Sequence, residues 1–290
     1  MKAAPKASAR HFDKKFGLDF LSQISTGPGI YRVFDATDIL IYVGKAKNLR
    51  RRLGQYRNAK RRKKHLKMRS VVQEGMRIET ESHVSDFAAC IAETEIIQTL
   101  RPRLNVAGAF YFLYPMIGAH FSDRGLELIY TTEPELIDEK IRAPFSFHGA
   151  FRSRFLTGGG FFALVEILEY IGHKNKTQKL GKHTYHYSFR QIDETWLADL
   201  NLFFAGESSV ILEKLIMSLV ESGSARRRAK DMQGLVNALK RFWRFEAQLL
   251  RRVRMRVGND VYPIPQRQRD ILFLEHRYRE QNPKVRFGNG

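Results

Sequence analysis

Residues Pro28 to Tyr56 read PGIYRVFDATDILIYVGKAKNLRRRLGQY, and this run decides the fold of the N-terminal third. Ile30 to Phe34 and Ile39 to Val43 are apolar, β-rich stretches separated by the polar connection Asp35-Ala36-Thr37-Asp38, which is of ordinary hairpin length. A turn centred between Ala36 and Thr37 sets Tyr31 opposite Tyr42, with both phenols on one face. Asn48 is then an N-cap candidate for a helix through Tyr56. Leu49, Leu53 and Tyr56 form its inward stripe, Arg50 and Arg51 point to solvent, and Arg52 stands one turn from Tyr56.

Outward from that run, Gly27-Pro28-Gly29 breaks the chain after an amphipathic stretch, Phe12 to Ile24, that reads as one short helix. Downstream, Arg77 to Val84 alternates as a third strand, Ser85 can cap a helix running to about Leu100, and Pro102 prevents its continuation. The order β-β-α-β-α predicts a small mixed sheet flanked by helices, ending near Gly108. Residues 109–200 read as a second small α+β unit, with a polar loop from His173 to His186 and Gly158-Gly159-Gly160 ahead of a helix from Phe161 to Ile171. From Ser208 onward the period is helical, and Leu235, Leu239, Phe242, Leu249 and Val253 share one broad face. Gly258, Pro263 and Pro265 end that unit and leave a basic tail. The fold class expected is therefore α+β with a helical C-terminal domain over 201–290.

The chain has 290 residues, and its 43% hydrophobic content can bury two or three separate cores. Fifty Lys and Arg against thirty Asp and Glu give a formal charge of +20, which favours a polyanionic partner, nucleic acid first. The charge is concentrated. Lys45 to Arg69 holds thirteen cations and no carboxylate, and a second concentration runs from Arg226 to Arg256. Both stretches are interleaved with Leu, Tyr, Val or Trp at helical spacing, so they belong to folded elements and not to a tail. Cys90 is the single cysteine, which excludes an intrachain disulfide framework and a cysteine-ligated metal cluster. Met1 to Arg10 lacks an apolar core segment, and no run of 18 apolar residues follows, so a cytosolic, DNA-associated setting with no membrane partner is expected.

Gly29-Ile30-Tyr31 followed by Tyr42-Val43-Gly44 resembles the paired signature of the GIY-YIG endonuclease family, and the whole run to Tyr56 is similar to the N-terminal nuclease half of UvrC-type excision-repair proteins. The resemblance implies a GIY-YIG nuclease domain over 1–108, with Tyr31, Tyr42, Lys45, Arg52, Tyr56 and Glu93 as catalytic residues and Glu93 holding one divalent ion, Mg2+ or Mn2+. Periodicity alone does not choose between Glu93 and Glu95. Counting back from the Pro102-to-Asn105 ending that matches the family's Pro-x-x-Asn selects Glu93. Weaker likeness continues through SFHGAFRS, Ser146 to Ser153, and FFAGESSVILEKLIMSLVES, Phe203 to Ser222. This makes 109–200 a UvrC-like central region and points to UvrB, or a UvrB–DNA complex, as a partner. Where the family's UvrB-contact motif has acidic and aromatic residues, this chain reads SARRRAKDMQ, Ser224 to Gln233. With one nuclease signature and one cysteine, the pattern is closest to the short UvrC homologues of the Cho type, which make a single nick.

These residue types suit phosphodiester hydrolysis, which needs a base for the attacking water and positive charge where the phosphorane gathers negative charge. A lone carboxylate suits Mg2+, which keeps most of its waters. Arg52 stays protonated and can clamp two phosphate oxygens. Either Tyr31 or Tyr42 can act as base if neighbouring cations lower its pKa from about 10. Lys47, Arg50, Arg51, Arg57, Lys60, Arg61, Arg62, Lys63 and Lys64 are the expected DNA contacts. Taken singly, strand tyrosines usually serve packing and helix-flank glutamates are usually solvated; it is their joint spacing that favours a site. His183 and His186 form an HxxH pair without a supporting cysteine or acidic cluster, so a flexible polar loop is the expectation there. Glycines 158–160 lack a P-loop lysine and read as a turn. Two other functions fit the same signature: a GIY-YIG nuclease of a mobile element or defence system, and a DNA-binding adaptor with an inactive nuclease fold.

Overall fold

Asp35 sets the first hairpin, between strand β1 (Gly29–Phe34) and strand β2 (Leu40–Ala46). In a computed structural model of the chain, its carboxylate accepts the Thr37 N–H, the Thr37 hydroxyl and the Ile39 N–H at 2.8 to 3.1 Å. Its main-chain N–H reaches the Ile39 carbonyl at 3.0 Å. The loop therefore runs from Asp35 to Ile39. Phe34 pairs with Leu40, Ile41 enters as a bulge, and Val33 pairs with Tyr42. Tyr31 consequently stands opposite Gly44 and not opposite Tyr42 as the four-residue turn implied. Side chains alternate with period two, so this two-residue shift leaves both phenols on one face, with ring centroids 6.0 Å apart.

The structure describes residues 10–60, 62–105, 113–175, 178–181 and 183–283, with the side chains of 64, 178 and 179 also outside the description. They fall into two compact units, within 1–111 and 112–290. In the first, β3 (Arg77–Ser82) pairs with β1 to give the antiparallel order β2-β1-β3. Helix α3 (Leu49–Arg57) is capped by Asn48 Oδ1, which accepts the Arg51 N–H at 2.8 Å, and α5 (Asp86–Leu100) by Ser85 Oγ, which accepts the Ala88 N–H at 3.0 Å. Both caps and spans agree with the sequence reading.

Helices cover both faces of this sheet. Tyr31, Val33 and Tyr42 pack with Leu49, Leu53 and Tyr56 of α3, and with Val71 and Val72 of α4 (Leu66–Glu74). Val43 packs against Ile97 of α5. Helix α4 lies in the stretch the sequence reading left as a basic segment, so the order becomes β-β-α-α-β-α. The expected single helix Phe12 to Ile24 is instead α1 (His11–Phe16) and α2 (Phe20–Gln23). Gly17 has φ +96 between them, a backbone state open mainly to glycine, and it ends α1. Phe12, Phe16 and Phe20 still cluster across the break, with centroids 4.8 to 5.9 Å apart.

The second unit is built on β4 (Met116–Ser122), β5 (Gly125–Thr131), β6 (Ser146–His148), β7 (Gln178–Gly181) and β8 (Thr184–Phe189), in the antiparallel order β6-β4-β5-β8-β7. Its helices are α6 (Glu139–Arg142), α7 (Arg154–Ile171), α8 (Thr195–Phe204), α9 (Val210–Glu221), α10 (Gly223–Arg226), α11 (Ala229–Phe242), α12 (Gln248–Val257) and α13 (Gln266–Gln281). A π-helical turn, Trp243–Ala247, joins α11 to α12. Leu126, Leu128, Phe161, Leu164, Phe203, Phe242 and Leu272 belong to one buried cluster, so sheet and helices share a core. Residue 200, expected as a domain boundary, lies inside α8.

Three local expectations change here. Glycines 158–160 sit inside α7 and not in a turn; a side chain on Gly160 would collide with Phe242, so that glycine serves close helix packing. His186 lies on β8, with Nε2 2.6 Å from Glu127 Oε2 on β5; it is paired and not part of a free polar loop. The stretch after Pro265 is α13 and not a tail. Its Arg269 is 2% exposed, donates Nε–H to the Ala150 carbonyl at 2.8 Å and lies over the Phe273 ring. Among the described residues no helix is long and apolar enough to cross a membrane.

His148 closes the core of this unit beside α8. Its Nε2–H donates to Asn201 Oδ1 at 2.9 Å, and its Nδ1 lies 3.0 Å from the Tyr262 hydroxyl, which can donate to the neutral ring. Burial pushes its pKa from 6.5 down to about 4. Because the folded value lies below the unfolded one, the unfolded chain binds the extra proton first. Stability from this group is full above pH 6.5 and is lost as pH falls towards 4, by up to about 3 kcal/mol. Trp196 and Trp243, the two tryptophans of the chain, both report on this unit. Urea unfolding followed by their fluorescence should show the midpoint dropping over that window in the native protein and dropping less in His148→Gln.

Candidate active site

Tyr31 is completely buried and its hydroxyl is the hub of the site. It lies 2.9 Å from the Tyr56 hydroxyl and receives the Arg52 Nε–H at 3.3 Å. The Tyr31 and Tyr56 rings meet edge to face at 5.7 Å, and the Arg52 guanidinium lies 5.4 Å from the Tyr56 ring centroid. Arg52 and Tyr56 reach the strand tyrosine together because they are one turn apart on α3. Burial, and then the neighbouring Tyr42, holds the Tyr31 phenol above its ordinary range, against the pull of Tyr56 and Arg52. Burial and the other two phenols do the same to Tyr56.

Glycine at position 44 makes this arrangement possible. A Cβ there would overlap the Tyr31 hydroxyl and ring edge, because the register sets Tyr31 across from Gly44. On the adjoining edge of the sheet, Glu93 of α5 accepts the Lys45 main-chain N–H through Oε1 at 3.0 Å. Its Oε2 has no protein partner among the described residues. Burial raises the Glu93 carboxyl above the usual carboxylate range, while the Lys45 amide and the charges of Lys45, Lys67 and Arg52 pull it back. Glu95, the other candidate, is exposed. The Lys45 ammonium pairs with Asp86 Oδ1 at 3.2 Å.

Comparisons with known proteins cover the stretch of chain that carries this site. The profile of the UvrC-like GIY-YIG domain matches residues 27–106. Those residues form a UvrC-like GIY-YIG domain. Within the same third of the chain, UvrABC system protein C of Stenotrophomonas maltophilia is 38% identical over 91 residues, covering 31% of this chain and 14% of that protein. The protein of the same name from Xanthomonas campestris pv. campestris is 37% identical over 107 residues, 37% of this chain and 16% of its own length. The chain thus matches about a seventh of the length of these relatives. The GIY-YIG N-terminal endonuclease domain of Thermotoga maritima UvrC, solved with its catalytic divalent cation magnesium, is 28% identical, with a TM-score of 0.28 over 37% of this chain and all of that one.

All six expected catalytic residues of the GIY-YIG domain lie at this site. Tyr31, Arg52 and Tyr56 are in direct contact, Tyr42 lies against Tyr31, and Lys45 and Glu93 meet through the Lys45 amide. The expected DNA contacts divide. Lys47 and Arg51 are exposed and line a cavity of about 330 Å3 together with Lys45, Arg52 and Gln55. Lys60, Arg62 and Lys63 are also exposed. Arg50 is spent on structure, bonding the carbonyls of Ile24 and Ser22 at 2.8 and 3.0 Å. Arg57 is spent likewise, in a two-bond pair with the buried Asp13 at 2.6 and 2.9 Å. Arg61 and the Lys64 side chain lie outside the described residues.

Sequence reasoning missed two residues of the site. Lys67 of α4 sets its ammonium 4.9 Å from the Tyr42 ring centroid, and its charge also reaches Glu93. In the sequence it is one of thirteen cations between Lys45 and Arg69, and nothing local separates it from its neighbours. Asn105 served only as a ruler for finding Glu93. It is 3% exposed and bonds both main-chain groups of Val43 at 2.8 Å, closing the open edge of β2 between Tyr42 and Gly44.

The contact at Gly44 is testable without any assay of activity. Gly44→Ala should destabilise the first unit by about 1 to 3 kcal/mol through overpacking. It should also expel Tyr31 from its position, read as a changed tyrosine near-ultraviolet circular dichroism band. An unchanged band would show that the ring does not depend on that gap.

Proposed function

We propose that this protein is a metal-dependent DNA endonuclease that makes a single nick, acting in nucleotide excision repair in the manner of UvrC and its short homologues. The observation that carries the reading is Glu93. One carboxylate oxygen is anchored by the Lys45 amide, the other is open, and the charges of Lys45, Lys67 and Arg52 reach it, Arg52 itself bonding Tyr31 and Lys67 lying over Tyr42. Among the described residues no group of three His, Cys, Asp or Glu could cage a metal. A site with a single carboxylate fits a hydrated Mg2+ or Mn2+. Such an ion, held by Glu93, would supply Lewis-acid charge at the scissile phosphate.

The protein's own groups take the remaining roles. Arg52, half-buried and held by the Tyr31 hydroxyl, donates to the non-bridging phosphate oxygens as negative charge builds on them. A phenolate at Tyr42, formed once its own proton has passed to solvent and faced by the Lys67 ammonium over its ring, takes the proton of the attacking water. Tyr31, enclosed and held protonated, orients Arg52 and Tyr56. Lys45, Lys47 and Arg51 along the 330 Å3 cavity receive the flanking phosphates. The substrate is lesion-bearing duplex DNA, presented alone or with UvrB.

Nicking of supercoiled plasmid with Mg2+ or Mn2+ tests the reading. Glu93→Ala and Arg52→Ala should each lose about a hundredfold or more in rate while still binding DNA. Tyr42→Phe should lose a comparable factor, and Tyr31→Phe less if its role is to orient. Wild-type protein that binds DNA but never cuts it in either metal would leave an adaptor. Equal cutting of undamaged and lesion-bearing duplex, with and without UvrB, would point to a mobile-element or defence nuclease.

A further inference from the structure

The second unit carries a long helix that the site does not use. Helix α11, the π-helical turn and α12 run without interruption from Ala229 to Val257. Its inner side, with Leu239, Phe242, Leu250 and Val253, is buried in the core of that unit. Its outer side shows Lys240, Arg241, Arg244, Arg252 and Arg256, all exposed, and none has a carboxylate partner among the described residues.

Between Asp231 and Asp260 the chain has one carboxylate, Glu246. It lies in the π-helical turn and is 5% exposed. There it accepts the Arg152 and Ser153 N–H groups at 2.7 and 3.0 Å, at the start of α7. The one acid within the row thus points inward, and from Lys240 to Arg256 the exposed charge of the helix has a single sign. From Lys240 to Arg256 that face extends about 24 Å at 1.5 Å per residue. A line of unpaired like charges costs folding energy through repulsion, which an external polyanion removes.

From these observations we infer that the outer face of the Ala229–Val257 helix is a second DNA-contacting surface, binding the phosphate backbone of a duplex without reading its sequence. Four of the five exposed cations are arginines, whose planar fork suits phosphate. The exposed apolar residues on the helix, Phe245 and Met255, are isolated, so the face lacks the apolar centre that a protein partner would bury. The choice of DNA as the polyanion rests on the nuclease reading; the surface itself does not.

The test uses the full chain in EDTA with a short undamaged duplex, measuring affinity against salt concentration. The triple variant Lys240→Ala, Arg244→Ala, Arg252→Ala should bind about tenfold or more weakly. Its slope of log K against log salt should be shallower by about 0.9 per lost phosphate contact. Tryptophan-monitored unfolding checks the fold; should the triple variant be destabilised, Arg252→Glu alone is measured in its place. Unchanged affinity and slope would overturn the proposal. So would a wild-type protein whose face is occupied by polyglutamate more tightly than by DNA, which would mark an acidic protein partner. Binding is read without metal and so does not depend on cleavage. A failed nicking assay and a failed binding assay are therefore distinguishable.

Discussion

The Tyr31 phenol lies across the backbone of Gly44, and the geometry of the first unit follows from that approach. The ring can enter only if the residue opposite has no side chain. Once it is in, its hydroxyl has a fixed place between Tyr56 and Arg52 on α3. The same register sets the Lys45 amide at the strand edge where Glu93 can accept it. Asn105 holds the intervening residue, Val43, by both main-chain groups. Strands β1 and β2, helix α3 and the more distant α5 are thus brought to one place by a backbone pairing and not by attraction between the functional groups themselves.

Burial gives those groups their character. Enclosure keeps Tyr31 and Tyr56 protonated and raises the Glu93 carboxyl, whereas Lys45, Lys67 and Arg52 supply compensating positive charge. Glu93, and Asp86 paired with Lys45, set among three cations and three phenols leave an excess of positive charge suited to an incoming phosphate, with the open Glu93 oxygen suited to a hard cation. The wider basic surface is less uniform than its composition suggests. Arg50 and Arg57 brace the lead-in helices, and Arg269 is a core residue of the second unit. Cations on exposed faces, such as Arg51 and Arg252, remain available to a polyanion.

The sequence by itself determined the hairpin, the caps at Asn48 and Ser85, the helix stripe Leu49–Leu53–Tyr56 and the stop before Pro102. Each of these depends on residues within a few positions of one another, whose propensities act locally. It also determined which six residues to watch, because their spacing is that of a known signature. Tertiary structure decided the rest. The Asp35 side chain closed a longer turn, which with the bulge at Ile41 moved the strand register by two residues; no alternation pattern could reveal this, since a shift of two preserves it. Lys67 could not be told from the twelve other cations around it until α4 folded back over Tyr42. Periodicity left Glu93 and Glu95 equal and the count from Pro102 to Asn105 chose Glu93; in the fold an amide 48 residues earlier in the chain meets that carboxylate, while Glu95 is exposed. In the second unit, a helix beginning at Arg154 enclosed three glycines, and one core spanned the boundary expected at residue 200, because long-range packing overrides local turn preference where a neighbouring helix needs the room.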